Sequence, residues 1–276
     1  MLFDTRRTRR IGCASVVGAT VVTLLGCSAP REEDPPDSGE GRAAVVGGDV
    51  AASERADLVD VFAAAEVTGT FVLYDTQERR SVLVEPERAR ERAVPGDTFD
   101  LVIALTALQT GAIADAGEVV DAGGSAPRDA VDRVGHGPMA TWVDRFEYGG
   151  RDIGADEDAE TFWSRGPLGI SAVEQTEFLA GLARGELPVD AEHQSALREE
   201  VLVERGRGYA LYGRSSCDDG TDAPGWWVGW VTGDAGVHTF ALRLEADEGF
   251  EPDSCETLGR GLLTALEVLP EGAGPR

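Results

Sequence analysis

Two carboxylates stand three residues apart in the stretch Pro95-Gly96-Asp97-Thr98-Phe99-Asp100, just ahead of an apolar run. Residues at i and i+3 of a helix are neighbours, so Asp97 and Asp100 are expected on one helix face. Such a pair has two uses. In unlike surroundings the carboxyls split their pKa values and can serve as general acid and general base. At a helix start, Asp97 is instead an N-cap and Asp100 returns to the cap amide, which does no more than begin a helix. Capping is the preferred reading. His136, His193 and His238 are scattered and fall in no metal-ligand spacing, and two cysteines without a nearby His pair make a poor zinc site. No metal and no cofactor is expected.

Fifty acidic residues face 25 basic ones, for a formal net charge of −25. Nucleic acid is excluded as a partner, because binding it needs clustered positive charge. Every one of the 25 basic residues is Arg, and the 276-residue chain contains neither Lys nor Asn. Chemistry that depends on an amine side chain is therefore closed to it.

The N-terminus carries the signs of export. Arg6, Arg7, Arg9 and Arg10 form a basic region, and a largely apolar stretch runs from Ile11 to Leu25. It ends in Leu24-Leu25-Gly26-Cys27, similar to a bacterial lipobox, which predicts a lipoprotein signal over 1–26 and lipid on Cys27. Residues 27–55, rich in Pro, Gly, Ser and acid, read as a disordered linker. Of the remaining cysteines, Cys217 and Cys255 most simply pair with each other in an oxidising compartment.

The elements that must position these residues are legible by their periods. Residues 69–75 and 80–86 read as a β-hairpin, and structure is expected to begin near Leu58. Leu101, Ala104, Leu105 and Leu108 recur at helical spacing up to Gly111. Residues 114–137 look aperiodic and read as loop, followed by a short helix ending at Tyr148-Gly149-Gly150. Ser171 with Glu174 forms a capping box for a helix that stops before Gly185, and a further helix is expected over roughly 191–204. Three alternating stretches then predict an antiparallel meander, and a last helix opens at Asp253. This order fits an α+β fold in which one sheet is covered by helices.

From about Gly69 to Leu269 the chain resembles the class D (oxacillinase-type) serine β-lactamases and the related penicillin-binding transpeptidase-like domains. The stretch 95–113 is similar to that family's nucleophile helix, 144–154 to its Tyr-Gly-Asn region, and 209–216 with 225–231 to its Lys-Thr-Gly strand and partner. Residues 162–182 match most closely, with Phe162-Trp163, then Gly166, Leu168, Ile170 and Ser171 in a Gly-x-Leu-x-Ile-Ser phrase, and Glu174-Gln175 in order. The resemblance implies an antiparallel sheet flanked by helices, with a helical subdomain, over residues 56–270.

The same resemblance puts the activity in doubt. Asp97 stands where the family has its nucleophilic Ser, and Asp100 where it has the Lys that acts as base. Arg214-Ser215-Ser216 replaces Lys-Thr-Gly, and no Ser-x-Val phrase lies between 114 and 139. Trp163 and Ser216 are implied as pocket residues, as is Cys255 at or beside the family's carboxylate-binding Arg. That position would set the Cys217–Cys255 bond across a vacated pocket. The implied function is that of a lipid-anchored envelope module without acyl-enzyme chemistry, with peptidoglycan or an envelope protein as partner. The alternative is a hydrolase of altered mechanism using the Asp97/Asp100 pair on a β-lactam or peptidoglycan-related substrate.

Overall fold

A computed structural model describes residues 51–217, 223–245 and 253–273. The predicted signal sequence, Cys27 and the predicted linker up to residue 50 lie outside the described residues. The expected linker ends sooner than residue 55, because Ala51–Glu54 already forms strand β1. After a short helix α1 (Val59–Ala64), the predicted hairpin appears as β2 (Gly69–Asp75) and β3 (Arg80–Val84). Its strands pair antiparallel from Phe71 opposite Val84 to Asp75 opposite Arg80. A one-turn helix, α2 (Pro86–Arg90), follows the hairpin.

The helical region comes next. A 3-10 turn over Gly96–Phe99 leads into α3 (Asp100–Thr110), which ends on Gly111 in the left-handed conformation. The segment read as loop is instead mostly helical: α4 (Gly117–Val120), α5 (Ala126–Val134) and α6 (His136–Arg145). Its many small and acidic residues hid a narrow buried stripe, Val119, Val120, Ala130, Val131 and Val134, which packs on α3. Ser171 caps α7 (Ala172–Arg184) as expected: its hydroxyl accepts from the Glu174 amide at 3.2 Å, and Glu174 accepts from the Ser171 amide at 2.9 Å. The next helix, α8 (Ala191–Glu200), is shorter than its predicted span, since Leu202–Gly206 turns into strand β4.

The meander is β5 (Tyr209–Ser216), β6 (Gly225–Gly233) and β7 (Gly236–Leu244), and α9 (Ser254–Ala265) closes the fold. Among the described residues, seven strands form one sheet in the order β1-β3-β2-β7-β6-β5-β4. Every neighbouring pair is antiparallel except β1 with β3.

Strand alternation divides the core into two layers. Val72, Trp226, Val228 and Ala241 point to the layer shared with α3 and α7. Phe71, Leu73, Trp227, Phe240 and Leu242, one residue out of phase, point to the layer shared with α1 and α9. Directly opposed residues of an antiparallel pair share a face, so the cross-strand partner of any β5 residue tells which layer it addresses.

Candidate active site

The 3-10 turn sits on an aromatic cluster. Phe99 is fully buried, with its ring 5.3 Å from Phe162, 5.5 Å from Tyr148 and 6.0 Å from Trp163, the last nearly parallel. Trp163 also holds the turn through its backbone, accepting from the Gly96 amide at 2.9 Å. Deeper still, the Thr98 hydroxyl donates to the Pro95 carbonyl and accepts from the buried Gln175 amide at 3.0 Å. Both faces of the turn are thereby fixed before any solvent-facing chemistry is considered.

On this turn the two carboxylates have opposite surroundings. Asp97 is exposed, whereas Asp100 is 1% exposed. Asp100 does not return to a cap amide, and no side-chain cap bond forms at the start of α3. Its Oδ2 is held by the partly exposed Arg214 guanidinium in an ion pair, while its Oδ1 is buried and accepts no hydrogen bond. The capping reading is therefore corrected, because a long cation within reach outcompetes a backbone amide for a buried carboxylate. Burial pushes the Asp100 carboxyl up to about 7, against the opposing pull of Arg214 and with further upward pressure from Asp97.

Arg214 does more than neutralise one charge. Its Nη1 donates to the Val120 carbonyl at 2.8 Å and its Nε to the Asp97 carbonyl at 3.3 Å. Two residues on, Ser216 lies on the same strand face, and its hydroxyl accepts from the Asp97 amide at 2.9 Å. The approach is close enough to require Gly96: a Cβ there would meet Ser216 Oγ at 2.3 Å, and its φ of +56° also favours glycine. Asp97, Asp100, Arg214 and Ser216 are thus brought together at one seam between β5 and the turn.

Other expected site residues are elsewhere. Ser215 pairs with Trp227 and so faces the opposite layer. Trp163, 4% exposed, lies in the core beneath the turn rather than lining an open pocket. Cys217 and Cys255 are bonded, with their α-carbons 6.1 Å apart, as the sequence predicts. Both pack with Trp227, Leu262 and Leu263 in the α9 layer, so the bond lies behind the sheet and not across the site, and Cys255 is no pocket residue. Among the described residues, the one cluster with metal-ligand geometry is Asp190, Glu192 and His193 at the surface start of α8, remote in sequence from the seam.

The comparisons with known proteins agree with this architecture. Probable β-lactamase YbxI of Bacillus subtilis (strain 168) is 30% identical over 203 residues, 65% of this chain and 75% of the relative. The chain belongs to the class D β-lactamase family. β-Lactamase OXA-10 of Pseudomonas aeruginosa is 30% identical over 213 residues, covering 67% of this chain and 79% of the relative. Among solved structures, a class D β-lactamase from Bacillus subtilis has a TM-score of 0.69 at 26% identity, over 79% of this chain and 97% of its own. FUS-1 (OXA-85) from Fusobacterium nucleatum reaches 0.71 at 23% identity, over 79% of this chain and 100% of the other. No family model matches the chain.

Within this class D scaffold, Ser216 was expected as a pocket residue and its hydroxyl instead accepts from the Asp97 amide, while the Val120 carbonyl is the partner that sequence reasoning missed. Val120 belongs to the helical segment read as loop. The ion pair itself was within reach. An acid at one lysine position of the family motif and an arginine at the other already spell out a complementary pair.

Proposed function

We propose that this chain is an exported, lipid-anchored class D β-lactamase-like domain that forms no acyl-enzyme and acts as a binding or structural module of the cell envelope. One observation carries the loss of chemistry: the residue at the family's base position, Asp100, is a buried carboxylate committed to Arg214. Acyl transfer also needs a hydroxyl or thiol nucleophile, and an exposed Asp97 supplies neither. A carboxylate at that point repels the anionic substrate a β-lactamase admits. The Asp97 amide is already committed as a donor to Ser216 and is not free to meet a developing oxyanion.

The reading as a hydrolase of altered mechanism draws support from the unlike surroundings of Asp97 and Asp100. Burial weighs against it, since a general acid must reach the group it protonates and both oxygens of Asp100 are enclosed. The anchoring rests on the Leu24-Leu25-Gly26-Cys27 stretch. No helix among the described residues is long and apolar enough to cross a membrane. The test is incubation of the purified protein with a fluorescent penicillin and a chromogenic cephalosporin, followed by intact mass. Neither labelling nor colour change is expected, and a stoichiometric adduct at any residue overturns the proposal. Membrane fractionation of the full chain against Cys27→Ser tests the anchor; equal membrane association in both rules it out.

A further inference from the structure

The Asp100–Arg214 contact joins the first residue of α3 to the middle of β5, across the seam where the turn meets the sheet. Its chemistry is lopsided. Among the described residues, Arg214 pairs with Asp100 Oδ2 and donates to the neutral carbonyl oxygens of Val120 and Asp97. Asp100 in turn has one oxygen satisfied and one, Oδ1, buried without a partner. A buried ion with half its acceptor capacity unfilled is poorly compensated, so its charge is the member of the pair most easily given up. Oδ1 is also a ready place for a proton.

We propose that Asp100 and Arg214 form a proton-held latch, in which the neutral carboxyl, accepting from Arg214, lets β5 close against the turn ahead of α3, and ionisation leaves a half-compensated buried charge that loosens that seam. The position of the Asp100 carboxyl near neutrality, set by burial, supports a switch in an accessible range. The groups facing Asp100 are few. Arg214 comes from β5, Asp97 from its own turn and the buried Tyr148 phenol from the loop after α6. Burial pushes that phenol upward, so it stays neutral throughout. Among the described residues, the charged groups of the other elements packed on α3 are exposed or engaged elsewhere: Glu118, Arg128, Asp129, Asp132 and Arg133 are exposed. His136 meets Asp156, Asp144 meets Arg151, Arg198 donates to the Leu182 carbonyl, and Glu200 faces Asp115 and Asp121. A single titrating group therefore works the latch. The proposal stands apart from the loss of acylation, since neither closing nor opening the seam supplies a nucleophile.

The reporter is the Asp97 amide, whose acceptor Ser216 rides on the same strand as Arg214. In the full-length protein, carboxyl-carbon NMR of Asp100, assigned against Asp100→Asn, should titrate near pH 7. Hydrogen exchange of the Asp97 and Ser216 amides, divided by the intrinsic rate, should quicken by about tenfold between pH 5 and pH 8, the scale of one charge-assisted hydrogen bond. Asp100→Asn should show the slow corrected rate at every pH, and Arg214→Gln, which removes the compensating cation, should move the Asp100 titration to higher pH. Titration of Asp100 below pH 5 overturns the latch, as does exchange at both amides that ignores pH in the parent protein. Both readings need only the parent protein, so a variant that fails to fold does not rescue the idea.

Discussion

At the scale of single residues, the proposed loss of acylation rests on more than the residue at the nucleophile position. Replacing Asp97 with Ser restores a hydroxyl but leaves Asp100 buried against Arg214, with no lysine in the chain to act as base. Asp97→Ser should therefore show no turnover of a chromogenic cephalosporin, and measurable turnover would mean that another group has taken over the base's role. A second prediction concerns pH. The Asp100 carboxyl lies at about 7 in the fold, well above the ~3.9 of an unfolded chain. The folded state thus holds an extra proton between about pH 4 and pH 7, and the stability due to this group is full below that window and lost as pH rises through it. Asp100→Asn is neutral at all pH, so its stability relative to the parent should rise by on the order of 1–3 kcal/mol from pH 5 to pH 8. Paired urea titrations at the two pH values decide it, and a difference that does not change with pH counts against the assignment. The residue types were plain in the sequence. Their fates were not, because an Asp at a helix start is written the same way whether it caps or is buried.

At the scale of elements, β5 is secured on both of its faces. Arg214 and Ser216 fasten one face to the turn and to α4, and Cys217, just beyond its end, is bonded to α9 behind the sheet. The bond closes a loop with a sequence separation of 38 residues, for which chain entropy gives about 3–4 kcal/mol. The double variant Cys217→Ser, Cys255→Ser should lose that much in denaturant unfolding, and thiol titration of the unreduced, denatured parent should find neither cysteine free. The pairing was legible because only two candidates remained. Which side of the sheet it occupies was not, since it depends on a phase of one residue in β5. Helix α9 also offers a contrast between two glycines. A Cβ on Gly259 would meet Trp227 Cε3 at 2.2 Å, whereas at Gly261 nothing lies within 4 Å. Gly259→Ala should cost about 1–3 kcal/mol through overpacking. Gly261→Ala should be neutral or stabilising by up to about 1 kcal/mol through helix propensity. Similar melting temperatures for the two variants would contradict the packing of α9 on β6.

At the scale of the molecule, the α+β order, the β2–β3 hairpin and the β5–β7 meander follow from period and turn residues alone. The helices between Gly117 and Val134 do not, because their apolar stripe is too narrow to stand out from an acidic, small-residue background. The strand that sequence reasoning assigned to the linker, β1, has the widest consequence. Ala51–Glu54 runs parallel to β3, in register from Ala51 opposite Arg80 to Glu54 opposite Leu83, and all four of its residues are exposed. It brings almost nothing to the core. What it does is occupy the outer hydrogen-bonding row of β3, a strand whose Leu83 and Val84 are buried and apolar. Without β1 that row is an open template onto which a second molecule can add a strand. A chain begun at Ala56 should keep its fold yet self-associate edge to edge, while one begun at Gly47 should run as a monomer in size-exclusion chromatography at the same concentration. Four residues with no part in the chemistry then act as the guard against polymerisation, and the working boundary of this domain is set by solubility before it is set by folding.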